Sequence, residues 1–452
     1  MNKLVIKLKQ HTPLIHFQHN QEGATLRASE VKPKLDKFIL TQLGKEQYKE
    51  ISDDEYEEIA SNYEKDNPGC IFDDLYDIDI DAQYEAIGNF LALKYKWIKG
   101  KGLDYKMRIE MAPGSTTEEY LLASSIRDDK VQNLNNNGIN TISGTPFFAQ
   151  ERENSQIANA QGYERTEKWN AIGKKGIIIK EEIEVSILIM KDSNEVPLTD
   201  YLKEHIQSFF LSTNFGTRQS KGFGSFTVTS ILYNDQTYEL KNNEDLLKQY
   251  FQFVYKKATG GTNRINIIFT TINNDYRLIK SGQRRPYKRS RMMLYADERG
   301  MGWDKKYIKK AYKSLPNNLF ILKDEHPQDY YGEHEDYKYY RAMLGLTEQF
   351  EFLLSNPPAI NSKMIVKVSH PSIKRFQSPI LFKVIGNAIY LVGNEISKKM
   401  LNETFTLSAS IQRDNAFRDI PLGGIKTPSN FSLKTFVRFS MRDDSLNYIC
   451  LK

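Results

Sequence analysis

The sequence predicts an α+β protein built from two tandem ferredoxin-like domains, spanning 1–240 and 258–452, with an acidic and a basic helical insertion. Three observations carry this expectation. Periodicity in the first half runs strand, helix, strands, helix, strand, the order of a split βαβ arrangement. The same skeleton recurs in the second half as a pattern, without sequence repetition. A glycine-rich stretch, GTRQSKGFGSF at 216–226, stands between the second helix and last strand of the first half.

The elements follow in order. Residues 4–8 alternate as an opening strand, and 29–43 read as a helix with Pro33 in its first turn, where proline is tolerated. The tract 50–81 holds about thirteen acids against one lysine, an acidic insertion with a helix around 53–63. Residues 105–111 (YKMRIEM) alternate like a strand, 128–140 form an Asn/Asp/Gly-rich loop, and 177–190 give one long strand or two short ones. Leu202, Ile206, Phe209 and Phe210 mark a helix over 198–213, stopped at Asn214 and Gly216. Residues 223–232 are a β-branched, half-buried strand.

The second half repeats the sequence of elements. A helix at 243–255 and a turn at 258–262 precede an opening strand at 264–271 (RINIIFTT). A basic helical section follows to about 354, then a strand at 364–368. A hairpin spans 380–392, turning at Gly386-Asn387. A helix at 433–441 and a strand at 447–451 close the pattern.

With 27% charged and 40% hydrophobic residues, the composition is that of a soluble globular protein. The net charge of +6 permits nucleic-acid binding without requiring it. Residues 277–313 carry about thirteen cations against three acids, and Arg284, Arg285, Arg289 and Arg291 stand near Tyr287 and Tyr295. That mixture is either a solvated helical face or a polyanion contact. Cys70 and Cys450 support neither a disulfide framework nor a cysteine zinc site. The first ten residues hold too short an apolar run for a secretory signal and no segment reaches membrane-spanning length, so a cytoplasmic protein is expected.

The glycine stretch admits two readings, a plain turn or a phosphate-gripping loop. Gly216, Gly222 and Gly224 allow close backbone approach, and exposed amides can form an anion nest. Arg218 and Lys221 add positive charge, flanking Gln219 and Ser220. The order helix, loop, strand excludes a nucleotide P-loop, and no GxGxxG follows a strand. Arg27, Lys32 and Lys34 surround the start of the first helix, whose amides also suit phosphate, and could meet Arg218 and Lys221 in one groove.

Catalytic signals are weak. His11, His16 and His19 cluster near the first strand without a carboxylate or cysteine partner at metal spacing, though a general-base role in RNA cleavage is conceivable. His205 and His370 show no partner. The acids at 73–81 lack the glycine of a calcium-binding loop and suit a solvated insertion or a docking face for a basic partner. No cofactor or metal is called for.

GTRQSKGFGSF resembles the glycine-rich loop of RAMP proteins, the RNA-binding subunits of CRISPR effector complexes. TLRASEVKPKL is similar to their N-terminal element. IKRFQSPILFK at 373–383 resembles a segment in the second half of the first-numbered subunit of the Cmr (type III-B) complex. Pro33-Lys34-Leu35-Asp36 departs from the usual helix continuation, and 441–445, before the last strand, has no glycine. The resemblance implies two RRM-like RAMP domains. It also implies a non-catalytic subunit that contacts the 3′ side of the guide RNA and helps capture target RNA beside other Cmr subunits in antiviral defence. The alternatives are a metal-independent CRISPR RNA-processing endoribonuclease on the same fold, and a protein-only scaffold.

Overall fold

The computed structural model describes residues 2–15, 25–122, 141–142, 176–260, 264–284, 287–315, 334–347, 349–353, 363–413 and 416–452. The expected loop at 128–140, Gly261, Thr262, His16, His19 and Arg285 lie outside the described residues. Along the first part run β1 (Asn2–Gln10), α1 (Ala28–Gln47), α2 (Asp53–Asp66), α3 (Leu75–Ile78), α4 (Ile80–Lys94), β2 (Lys106–Met111), β3 (Thr117–Leu122), β4 (Gly176–Lys180), β5 (Ile183–Ile189) and α5 (Leu198–Ser212). Then come β6 (Phe226–Tyr233), β7 (Gln236–Tyr238), α6 (Asn243–Tyr250), β8 (Phe253–Ala258), α7 (Arg264–Lys280), α8 (Arg291–Asp297), β9 (Gly302–Trp303) and α9 (Asp304–Lys313). The last are β10 (Tyr337–Lys338), β11 (Gln349–Leu353), β12 (Lys363–Ser369), β13 (Ile380–Ile385), β14 (Ala388–Gly393), β15 (Thr404–Arg413), β16 (Ala416–Lys426), α10 (Leu433–Ser440) and β17 (Ile449–Cys450).

These elements make a mixed α+β protein with two compact units. The first comprises 1–273, 381–392 and 449–452; the second, 274–380 and 393–448.

In the first unit a five-stranded sheet runs β7-β6-β1-β5-β2. Leu4, Ile6 and Leu8 of β1 face Ile187, Val185 and Ile183 of β5, and all six are at most 2% exposed. One face of the sheet is thus apolar, as period-2 alternation dictates. Val31, Leu35, Ile39 and Leu43 of α1, at four-residue spacing, belong to the same core as Leu202, Ile206 and Phe209 of α5. By chain order the four strands β1, β2, β5 and β6 lie fourth, first, third, second across this sheet. Another sheet of this unit, β13-β14-β8-β17, repeats that relative order.

Three sequence expectations need correction. Residues 264–271 are the start of helix α7, not a strand. Ile265, Ile268, Phe269, Ile272 and Ile279 recur at helical spacing and are buried, so burial of one face overrides β-branched propensity. The expected helix at 243–255 ends at Tyr250, with Phe251 extended (φ −108°, ψ 147°), and 253–258 instead form β8. Consecutive buried Phe253, Val254 and Tyr255 mark a strand covered on both faces, a run without alternation. Pro33 sits sixth in α1, past the first turn, and has no N–H to give the Ser29 carbonyl.

Helix α4, at the end of the acidic insertion, packs on α1 by backbone contact. A Cβ on Gly44 of α1 would stand 1.9 Å from the Tyr84 carbonyl oxygen, and one on Gly88 of α4 1.9 Å from that of Leu40. Glycine at both positions lets α1 and α4 cross at backbone distance. The carboxylates of α2, Asp53, Asp54, Glu57 and Glu58, are exposed.

The second unit is built on a six-stranded sheet, β9-β10-β16-β15-β12-β11. Within it Arg341 donates to both oxygens of buried Asp304 at 2.9 and 2.6 Å and lies over the Trp303 and Phe350 rings. Lys280 donates to the Leu344 and Gly345 carbonyls, and burial pushes its pKa down to about 7.

Candidate functional site

Helix α5 stops because Thr213 turns extended (φ −123°, ψ 136°), and Asn214 then pairs with Ser225 in an isolated antiparallel bridge. Between them the chain makes a closed loop. Its closure requires left-handed backbone at Gly216 (φ 77°), Arg218 (57°), Gly222 (84°) and Gly224 (64°). A Cβ at Gly224 would lie 2.0 Å from the Phe215 carbonyl oxygen, and one at Gly216 2.5 Å from that of Ile15. Phe215, Phe223 and Phe226 anchor the loop, each 0% exposed, with Phe223 stacked on Phe269 at 4.0 Å.

The loop's backbone donors are largely used inside the protein. Gly216 N–H donates to Glu30 Oε1 at 2.6 Å, Thr217 N–H to the Ile15 carbonyl at 2.7 Å, and Gly224 N–H to the Pro13 carbonyl at 2.9 Å. Gly222 N–H returns to the Gln219 carbonyl at 3.2 Å. The three glycines therefore shape the loop, and their amides do not form an outward nest. The one-turn segment Gln219–Lys221 begins with the amides of Gln219 and Ser220, which its own bonds do not use. The Gln219 side chain donates to the Gly216 carbonyl at 2.8 Å.

The predicted cations part company. Arg27, Glu30 and Lys34 share one face of α1. Glu30 ties that face to the loop, and Lys34 lies 5.0 Å from the Phe215 ring centroid and 3.4 Å from Glu30. Lys32 faces elsewhere. It donates to Asp36 at 2.8 Å and to the Leu103 carbonyl at 2.9 Å, over the Tyr105 ring. Arg27 is the half-buried N-cap residue of α1. Arg218 is half-buried at the loop's left-handed turn, whereas the Lys221 ammonium is enclosed.

In the second unit Arg284 falls in the short strand Gln283–Arg284. Arg289 pairs with Asp297 at 3.7 Å. Arg291 is structural: it donates to the Phe439 carbonyl at 3.0 Å, pairs with Asp443 at 3.5 Å and covers the Phe439 ring.

Sequence reasoning missed the buried polar groups beneath the loop. Thr12 donates to the Gly222 carbonyl at 2.6 Å and accepts from Ser225 N–H at 3.0 Å. Asn214 donates to the Gln219 and Phe382 carbonyls at 2.7 and 2.9 Å. Its Oδ1 accepts from Lys383 at 3.2 Å. The RFQSP-containing segment ends on that lysine, a signal noted without its purpose.

His11 is 4% exposed. Its Nδ1 accepts the Gly386 N–H at 3.2 Å, and Nε2 lies 2.8 Å from Thr227 Oγ1. Burial first, then the charges of Lys383 and Arg264, push its pKa down to about 3. His370 sits 3.0 Å from Glu403 and accepts the Ile373 N–H, and His205 lies 3.5 Å from Glu46 beside a cavity of about 270 Å³. Among the described residues no group of three His, Cys, Asp or Glu is placed to hold a metal ion. No helix among them is long and apolar enough to cross a membrane.

Comparison with known proteins decides the family. The Cmr1 N-terminal domain matches residues 1–283, and the Cmr1 C-terminal domain matches 287–448. The chain belongs to the Cmr1 family. Family membership makes it a subunit of the type III-B Cmr CRISPR complex, with other Cmr subunits as partners. Among solved structures, the crystal structure of Cmr1 from Pyrococcus furiosus (apo form) aligns over 100% of this chain and 98% of that one, at 9% identity and a TM-score of 0.31. No curated protein sequence matches the chain.

Proposed function

We propose that this Cmr1-family chain is a non-catalytic RNA-binding subunit, holding the phosphate backbone of guide RNA and assisting target capture through the loop at 216–226. The observation that carries the reading is the junction of that loop with the start of α1. Glu30 bonds Gly216 at 2.6 Å, bringing Arg218 at the turn and Arg27 and Lys34 on the helix face into one neighbourhood. Sequence would be read by base pairing between guide and target, with the protein supplying backbone contacts. The matching strand orders of the two sheets support two ferredoxin-like RAMP domains as the scaffold. Cytoplasmic residence accords with this role.

The test is RNA binding by the full chain as salt is varied. Each lost phosphate contact on single-stranded RNA flattens the log–log salt slope by about 0.7. Arg218→Ala is expected to lower affinity and flatten the slope, and adding Lys221→Ala, which removes an enclosed ammonium, to flatten the slope no further. Unchanged affinity and slope in the double variant would refute the phosphate grip.

For the non-catalytic part, support comes from His11, whose ring is buried and bonded to Gly386 and Thr227. Repeat RNA incubated with the protein in EDTA is expected to stay intact. Specific cutting lost in His→Ala variants would favour the endoribonuclease instead.

A further inference from the structure

We propose that Lys383 is the positioning residue of the glycine loop, acting through Asn214 to hold the turn that carries Arg218. The inference rests on the RNA-binding reading above for its functional consequence, though not for its geometry. Lys383 lies on β13 and is 0% exposed, as is almost all of Asn214 (1%). Its ammonium donates to the Phe210 carbonyl at 2.6 Å, the Thr213 carbonyl at 3.0 Å and Asn214 Oδ1 at 3.2 Å. Three oxygen acceptors match the three donors of an ammonium. The carbonyls come from the end of α5, where the helix dipole favours a cation.

Burying an ammonium against dipoles alone is costly, and an apolar side chain of equal length would fill the same space without that cost. What the ammonium adds is direction. An asparagine amide can face either way, and only one way puts Oδ1 toward Lys383. In that orientation Nδ2 donates to the Gln219 carbonyl at 2.7 Å and the Phe382 carbonyl at 2.9 Å. The reverse would set an NH₂ against the ammonium and an oxygen against both carbonyls, losing both Nδ2 bonds. Lys383 therefore selects the Asn214 orientation that fixes Gln219, the residue next to Arg218. Ser225, closing the loop's other side, donates to the Val384 carbonyl at 2.7 Å, so β13 grips both ends.

The experiment uses the full chain with Lys383→Met, Asn214→Ala and the double variant, each checked for native near-UV circular dichroism. Two readouts are taken. One is the affinity for a labelled single-stranded RNA; the other is the rate of tryptic cleavage after Arg218 or Lys221. Each single variant is expected to weaken RNA binding about tenfold and accelerate cleavage at the loop. The double variant should match the singles because the two residues act in series. Should Lys383→Met not fold, Asn214→Ala carries the same test, since it leaves Lys383 in place. Wild-type affinity in the folded variants, or additive losses, would overturn the proposal. If substituting Arg218 and Lys221 leaves RNA binding intact, the functional reading fails, and the tryptic rate decides the positioning role: unaltered cleavage overturns it.

Discussion

Gly224→Ala separates the steric demand of the loop from the ordinary cost of a left-handed residue. Gly224 (φ 64°) and Gly386 (φ 57°) have nearly the same backbone angle. A Cβ on Gly386 would meet nothing within 4 Å, whereas one on Gly224 would lie 2.0 Å from the Phe215 carbonyl oxygen and 2.9 Å from the Phe215 nitrogen. Gly386→Ala should therefore cost only the left-handed penalty, about 1–2 kcal/mol. Gly224→Ala carries the same penalty plus the displacement of a backbone segment, roughly 1–3 kcal/mol by analogy with overpacking. The displacement also stretches the 2.9 Å bond from Phe215 N–H to the Gly224 carbonyl. A buried donor left without its acceptor adds about 1–3 kcal/mol.

The expected gap between the two variants is at least about 2 kcal/mol. Urea unfolding of both, followed by circular dichroism at matched m-values, measures it. RNA affinity gives a second reading, because only Gly224→Ala distorts the turn holding Arg218. Equal destabilisation by the two alanines would refute the argument that the glycine is there for closeness. Equal destabilisation with RNA binding retained would remove the loop's link to function as well.

Two other outcomes follow from buried charge. The native protein refuses at His11 a proton that the unfolded chain accepts at its ordinary pKa, so stability is lost as pH falls from about 6.5 toward about 3. The slope contributed is up to about 1.4 kcal/mol per pH unit; His11→Gln should melt with a flatter acid dependence, and identical pH profiles would contradict the buried neutral ring. Asp304→Ala leaves Arg341 buried without its carboxylate and should cost about 3–5 kcal/mol in urea unfolding, where a loss under 1 kcal/mol would contradict a shielded pair.

Elements with one clear period were legible in the sequence. The alternation of Leu4, Ile6 and Leu8 gave β1, the helical spacing of Leu202, Ile206 and Phe209 gave α5, and Gly386-Asn387 gave the turn between β13 and β14. The mistakes came where two periods compete. RINIIFTT carries both a β-branched composition and an i, i+3, i+4 apolar spacing, and only the packed core shows which one counts. The site was half legible. Loop and helix start were visible as local composition, and a hydrogen bond from Gly216 to Glu30 joins them. The polar groups beneath were not, because Lys383 meets Asn214 across 169 positions and Glu30 meets Gly216 across 186. No local pattern encodes such pairs.

The hydrogen bonds of the loop also move its chemistry from backbone to side chain. An anion nest needs successive N–H groups converging on open space. Here the amides of Gly216, Gly222 and Gly224 end on Glu30, the Gln219 carbonyl and the Pro13 carbonyl. A backbone donor already satisfied inside the fold gains little by exchanging its partner for phosphate. Glu30 even sets a carboxylate where a nest would set the ligand, so a phosphate approaching Gly216 would meet like charge. In the proposed RNA-binding role, affinity would then come mainly from cations that the glycines allow the chain to present. That places the weight on Arg218, held left-handed at φ 57°. A guanidinium suits the task because its planar fork can bond two phosphate oxygens at once. Arg218→Lys would keep the charge and lose the fork. Its salt slope should stay near that of the wild type while affinity falls, a combination that a nest of backbone amides would not produce.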